Sequence, residues 1–192
     1  RKLDVGTFSW QKCLGGEAGH GILVLSPKAV ERINTYNPPW PIPKLFQLRK
    51  NGKLNLDIFS GATINTPSML CVEDFLDALN WTREVGGLSA LISKSKNNLN
   101  IIKNWISDSH WADFLCEDVN NLSSTSICLK LVDPKIIDLP LETKNNIEKN
   151  IVKLLEDHKV AFDIGSYRSA PPGFRIWGGP TVENDDVKNL LP

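Results

Sequence analysis

The chain has no surplus of charge of either sign. Its 22 lysine and arginine residues balance 22 aspartate and glutamate residues over 192 positions, so no global field draws it to nucleic acid or to an acidic membrane. Cysteine and histidine are also scarce. Cys13, Cys71, Cys116 and Cys128 show no Cys-x-x-Cys spacing and no neighbouring histidine pair, which excludes the usual zinc ligand patterns and a disulfide framework. The expectation is four reduced, mostly buried thiols and no metal site. No apolar run approaches the roughly 20 residues that span a bilayer, and Arg1-Lys2-Leu3-Asp4 is not a signal peptide. Without a secretory signal, Asn80-Trp81-Thr82 and Asn121-Leu122-Ser123 are chance matches to the glycosylation pattern. A cytoplasmic protein without a membrane or nucleic-acid partner is the expectation. Internal repeats and low-complexity tracts are absent as well.

What is present centres on Lys12. Leu3 to Phe8 is a short apolar, β-rich run, and Ile22-Leu23-Val24-Leu25 is a second. Between them lies Ser9-Trp10-Gln11-Lys12-Cys13-Leu14-Gly15-Gly16-Glu17-Ala18-Gly19-His20-Gly21. A lysine is thus placed at a strand end, beside a loop whose glycines permit close backbone approach to a ligand. Known phosphate-binding patterns fit poorly: no glycine stands three positions after Gly21, and no Gly-Lys-Ser/Thr occurs. On spacing alone, a surface lysine following a strand is the plainer reading.

Further along, Ser26-Pro27 opens a helix reaching about Tyr36, with Ser26 as its cap. Asn37-Pro38-Pro39-Trp40-Pro41-Ile42-Pro43 reads as an ordered loop with Trp40 packed, or alternatively as a proline-rich interaction module. Asn51-Gly52 between Leu45–Arg49 and Leu54–Phe59 signals a hairpin. Thr66 is expected to cap a helix with Pro67 as its first residue, placing free N–H groups where a phosphate could bind. That helix runs to about Val85 with Leu70, Phe75, Leu76, Leu79 and Trp81 on its apolar face, and Gly86-Gly87 ends it. A second helix spans about Leu88 to Ser107, with Leu91, Ile92, Leu99, Ile102 and Ile106 as core. A smaller α+β unit follows: strands at Ala112–Cys116, Thr125–Val132, Val160–Ile164 and Phe174–Trp177, and an amphipathic helix at Leu141–His158. The domain boundary is expected near residues 108–111.

Ser9-Trp10-Gln11-Lys12, followed by Gly15-Gly16-Glu17 and His20-Gly21, resembles the cofactor-lysine segment of the phosphoserine aminotransferase family, in the form found in some archaea and alphaproteobacteria. The resemblance extends over nearly the whole chain. It implies an α/β chain, part of a fold type I large domain at 1–109 followed by a small α+β domain at 110–192. The abrupt ends, with no initiator methionine and a stop at Leu190-Leu191-Pro192, then read as the C-terminal half of a subunit, trimmed at its end and inactive alone. The cofactor implied is pyridoxal 5'-phosphate. Lys12 would bond to it and serve as the catalytic base. Asn65-Thr66-Pro67 resembles the family's Asn-Thr-Pro segment, so Asn65 and Thr66 would contact the cofactor phosphate of the neighbouring subunit in a homodimer. Arg175, in Pro171-Pro172-Gly173-Phe174-Arg175-Ile176-Trp177, resembles the arginine that binds the substrate α-carboxylate. Arg168 would meet the substrate phosphate. Tyr167 precedes it where the widespread bacterial and animal form has histidine, and the segment from Arg168 to Arg175 is longer than in that form. His20 and Glu17 share the loop with Lys12 and are candidates for orienting substrate, although a histidine in a tight loop also satisfies backbone carbonyls. His110 and His158 are read as structural or solvated.

The reaction implied is transfer of an amino group between glutamate and 3-phosphohydroxypyruvate, giving phosphoserine and 2-oxoglutarate in serine biosynthesis. The rivals within the same fold type are an alanine–glyoxylate aminotransferase and a cysteine desulfurase.

Overall fold

A computed structural model describes residues 3–191. Residues 1, 2 and 192, on which part of the expectations about the two ends rests, lie outside this range. The chain divides into two compact units, residues 1–81 and 82–192, and each is described by itself.

In the first unit, β1 (Val5–Ser9) and β2 (Gly21–Leu25) form an antiparallel ribbon in which Val5 faces Leu25 and Ser9 faces Gly21. The β-rich runs read from the sequence are therefore strands, and Lys12 follows directly on the first. Helix α1 (Pro27–Thr35) starts as expected: Ser26 Oγ accepts the Ala29 N–H at 3.1 Å and itself donates to Asp4 Oδ1 at 3.0 Å. The Asn51-Gly52 turn joins β3 (Arg49–Lys50) to β4 (Lys53–Leu54), with φ of 54° and 81° at the two turn residues. These positive angles match the mirror-image turn that suits hairpin twist. The strands are shorter than expected, because Lys44–Phe46 and Leu56–Ser60 wind into 3-10 turns. Arg49 Nη1 donates to the Tyr36 carbonyl and Nη2 to that of Asn34, which fastens the hairpin to the end of α1. Trp40 is 62% exposed, so the expectation that it packs is wrong. Proline-rich backbone lacks the N–H groups to pair with a neighbour, and the described residues leave most of the ring uncovered.

Helix α2 (Met69–Glu84) crosses the division between the units. Its start corrects another expectation. Ser68, rather than Thr66, is the cap: Ser68 Oγ accepts the Cys71 N–H at 3.4 Å and its carbonyl accepts the Val72 N–H at 3.1 Å. Thr66 lies two residues too early. Leu70 and Leu76, expected on the apolar face, are exposed, whereas Phe75 is half-buried against Trp10.

The second unit holds the main core. Helix α3 (Gly87–Asp108) follows Gly86, whose φ of 108° breaks the helical path after α2. Strands β5 (Ala112–Phe114), β6 (Ser126–Leu131) and β7 (Gly173–Trp177) form an antiparallel sheet with β6 in the middle. Alternation along β6 and β7 turns Ile127, Leu129, Leu131, Phe174 and Ile176 to one face. Leu99 and Ile102 of α3 pack there, together with Ile147, Ile151 and Leu155 of α4 (Leu141–Asp157) and Val187 of α5 (Asn184–Leu190). Ile92 does not join this core; it is 45% exposed. Asn98 is fully buried in α3, and its Nδ2 donates to the carbonyls of Gly178, Gly179 and Val182. The strand expected at Val160–Ile164 is not formed. That stretch bends, Asp163 has a φ of 52°, and only Gly165 makes a single bridge to Phe174. By packing, α3 groups with β5–β7 rather than with the Lys12 unit.

Candidate active site

The backbone leaves β1 at Ser9 and turns sharply. Ser9 Oγ accepts the Gln11 N–H at 3.1 Å, and Lys12–Leu14 forms a 3-10 turn closed by the Gly15 N–H on the Lys12 carbonyl. Lys12 has a φ of 63°. A non-glycine residue in the left-handed region carries local strain, and such residues concentrate at functional positions. Gly16 then folds back to donate to the Trp10 carbonyl at 2.9 Å, and a Cβ at Gly16 would lie 2.8 Å from that oxygen. The close approach explains why glycine is required there. Lys12 stands exposed on this turn.

Three rings form the floor of the turn. The Trp10 indole stacks on Phe75 with centroids 4.5 Å apart and on His20 at 5.1 Å. His20 Nε2 accepts the Ser68 N–H at 3.2 Å, and Glu17 Oε2 lies 3.9 Å from the Cys71 thiol. The glycine-rich loop is thereby tied to the start of α2, just downstream of Asn65 and Thr66. His20 faces α2 instead of standing free in its loop. Trp10 Nε1 and His20 Nδ1 are buried without a hydrogen-bond partner among the described residues, and buried donors in that state are uncommon. Asn65 and Thr66 are exposed, and Thr63 Oγ1 donates to the Asn65 carbonyl at 2.7 Å.

Arg175 and Arg168 belong to the second unit. Arg175 sits on β7 opposite Cys128, on the face away from the hydrophobic core. Its guanidinium Cζ lies 4.2 Å from the Tyr167 ring centroid, and Nη2 donates to Asp163 Oδ2 at 3.0 Å. Asp163 is almost wholly exposed, so this ion pair contributes at most about 1 kcal/mol, and an incoming carboxylate can displace it. Arg168 is exposed in a turn closed by the Ala170 N–H on the Tyr167 carbonyl at 2.9 Å. The expected cofactor and substrate residues thus fall into two groups, Lys12 with His20, Asn65 and Thr66, and Arg168 with Arg175.

The sequence reading missed Trp10 as the centre of a ring stack, Tyr167 as the cover of Arg175, and Glu148. Glu148 had a legible signal: it occupies the apolar spacing of α4, four residues before Val152. The cysteines are free, as expected, but only Cys71 is buried; the other three are half-buried. No group of three or more His, Cys, Asp or Glu residues able to hold a metal ion gathers among the described residues. Nor is any described helix long and apolar enough to cross a membrane.

The fold is similar to that of about half of the subunit in solved aminotransferase structures. The chain superposes on a pyridoxal phosphate-bound phosphoserine aminotransferase from Trichomonas vaginalis with a TM-score of 0.76 at 17% identity, covering 98% of this chain and 47% of that one. An alanine–glyoxylate aminotransferase from Nostoc sp. aligns with a TM-score of 0.69 at 14% identity, covering 99% and 46%. In sequence the chain is similar to phosphoserine aminotransferases in particular: 51% identical over 189 residues to that of Methanosarcina mazei, and 52% over 189 to that of Methanosarcina barkeri. Both alignments cover 98% of this chain and 48% of the relative, so the chain spans about half the length of these relatives. No family model matches it.

Proposed function

We propose that this chain is the C-terminal half of a phosphoserine aminotransferase subunit, which transfers an amino group between glutamate and 3-phosphohydroxypyruvate. The observation that carries the proposal is Lys12, held exposed in a left-handed turn at the end of β1, within a sequence half identical to such enzymes along nearly its whole length. The site suits pyridoxal phosphate, which supplies a carbonyl group for an amine and a ring that accepts electrons. Lys12 Nζ would hold the cofactor and, once freed by substrate, move the proton at the substrate α-carbon. Arg175, stacked under Tyr167 and held on a rigid strand, binds the α-carboxylate through parallel N–H donors. Arg168, exposed in its turn, meets the substrate phosphate, with His20 as a further candidate. Asn65 and Thr66 are assigned to the cofactor phosphate of a second copy, which makes the working unit a homodimer. The division into residues 1–109 as part of the cofactor-binding large domain and 110–192 as the small α+β domain is part of the same proposal.

The test is direct. The full-length subunit should purify with the visible absorbance of bound pyridoxal phosphate, and Lys12→Ala should lose both that absorbance and transamination. After borohydride treatment, peptide mapping should recover the pyridoxyl group on Lys12; recovery on Lys28 or Lys44 instead would remove the centre of the proposal. The likeness in fold to an alanine–glyoxylate aminotransferase supports a second reading. Turnover of alanine and glyoxylate without turnover of phosphoserine would select it.

A further inference from the structure

Glu148 is an acid in the wrong place for solvation. It lies in the middle of α4, is 7% exposed, and has no cationic partner among the described residues. A buried carboxylate needs hydrogen bonds to remain there. It obtains them from one segment: Oε1 accepts the Ser166 N–H and the Ser166 hydroxyl, each at 2.8 Å, and Oε2 accepts the Gly173 N–H at 3.3 Å. These two residues bracket the loop that contains Tyr167 and Arg168, and Gly173 begins β7 two residues before Arg175. Ser166 also fixes its neighbour Tyr167, whose ring covers the Arg175 guanidinium. A single buried carboxylate therefore closes both ends of the loop that presents the two arginines. Only its two oxygens in one rigid plane reach both ends, since a glutamine would offer Gly173 an N–H instead of an acceptor.

We propose that Glu148 is the positioning residue of the substrate-anion site: it sets the spacing of Arg168 and Arg175, and with it the preference for substrates that carry both a carboxylate and a phosphate. This rests on the assignment of those arginines to substrate made above. The loop between Ser166 and Gly173 needs such a tie, because its backbone freedom would otherwise let the two cationic groups drift apart.

The experiment uses the full-length enzyme and three variants, Glu148→Gln, Glu148→Ala and Ser166→Ala. Steady-state kinetics are measured with phosphoserine and with glutamate, and amide exchange is followed at Ser166 and Gly173. Glu148→Ala should raise KM for phosphoserine about 10- to 100-fold and for glutamate less, with kcat within about threefold and cofactor absorbance unchanged. Glu148→Gln should recover part of the loss, since it can still accept from Ser166. Both amides should exchange faster in Glu148→Ala, and the Gly173 amide alone in Glu148→Gln. If Glu148→Ala does not fold, Ser166→Ala decides: it removes one hydrogen bond and should raise the phosphoserine KM about 3- to 10-fold. Unchanged KM values in an active enzyme whose Ser166 and Gly173 amides have lost protection would overturn the positioning role while leaving the aminotransferase reading intact. A wild-type enzyme that binds cofactor yet does not turn over phosphoserine would instead overturn that reading, on which the proposal depends.

Discussion

Lys12 shows how much a single backbone angle adds to a residue type. Lysines are plentiful in this chain, and nothing in composition separates Lys12 from Lys28 or Lys44. Its φ of 63° does. An L-residue pays roughly 1–2 kcal/mol in the left-handed region, and glycine pays almost none. With cofactor removed, Lys12→Gly in the full-length subunit should therefore be more stable than Lys12→Ala by about 1 kcal/mol, read from the denaturant midpoint. Equal midpoints would show that the turn is unstrained and that its geometry marks nothing. Arg175 makes the complementary point: the sequence offers a strand arginine, while the fold adds the Tyr167 ring over its guanidinium and an ion pair with Asp163.

At the scale of elements, the start of α2 separates two roles that the sequence reading combines in Thr66. Ser68 makes the capping contacts, which leaves Thr66 exposed and available for another partner. Ser68→Ala should lower stability by about 1 kcal/mol, the usual worth of a cap, measured by chemical unfolding of the full-length subunit. Thr66→Ala should leave that stability within a few tenths of a kcal/mol, as exposed substitutions generally do. It should nevertheless weaken cofactor binding about 10- to 150-fold, the equivalent of roughly 1.5–3 kcal/mol for a charge-assisted hydrogen bond. Thr66→Ala as destabilising as Ser68→Ala would return the capping role to Thr66. The ribbon of β1 and β2 has a different character. Val5, Phe8, Leu23 and Val24 are all exposed on it, and two strands alone cannot bury residues on both faces. The apolar runs marked the strands, but their partners are not among the described elements.

For the whole molecule, the proposal of a homodimer has a consequence that single variants cannot mimic. Lys12→Ala and Thr66→Ala subunits should each be impaired as homodimers. In a hybrid dimer, one site carries both lesions and the other carries neither, if Thr66 serves the partner's cofactor. Activity should thus partly return when the two variants exchange subunits. No return, with exchange verified by mass spectrometry or tagged pull-down, would place Thr66 in its own subunit's site.

The sequence by itself determined the elements that local patterns control. Ser26-Pro27 fixed the start of α1, Asn51-Gly52 the hairpin turn, Gly86-Gly87 the break between α2 and α3, and alternation the inward face of β6 and β7. Each depends on residues within a few positions of one another. The resemblance around Lys12 likewise rests on residue types that follow one another within a few positions. What the sequence could not decide were matters set by distant neighbours. Val160–Ile164 has the composition of a strand, yet with the turn at Asp163 it forms none, and only Gly165 just beyond it bridges to β7. Trp40 and Ile92 are as apolar as the true core residues, but the rest of the chain leaves them 62% and 45% exposed. Glu148 is separated by 18 residues from Ser166 and by 25 from Gly173, so its place among apolar residues could be noticed in the sequence while its purpose could not. Burial and hydrogen-bond partners across such separations are properties of the folded chain, because only packing brings those groups within reach.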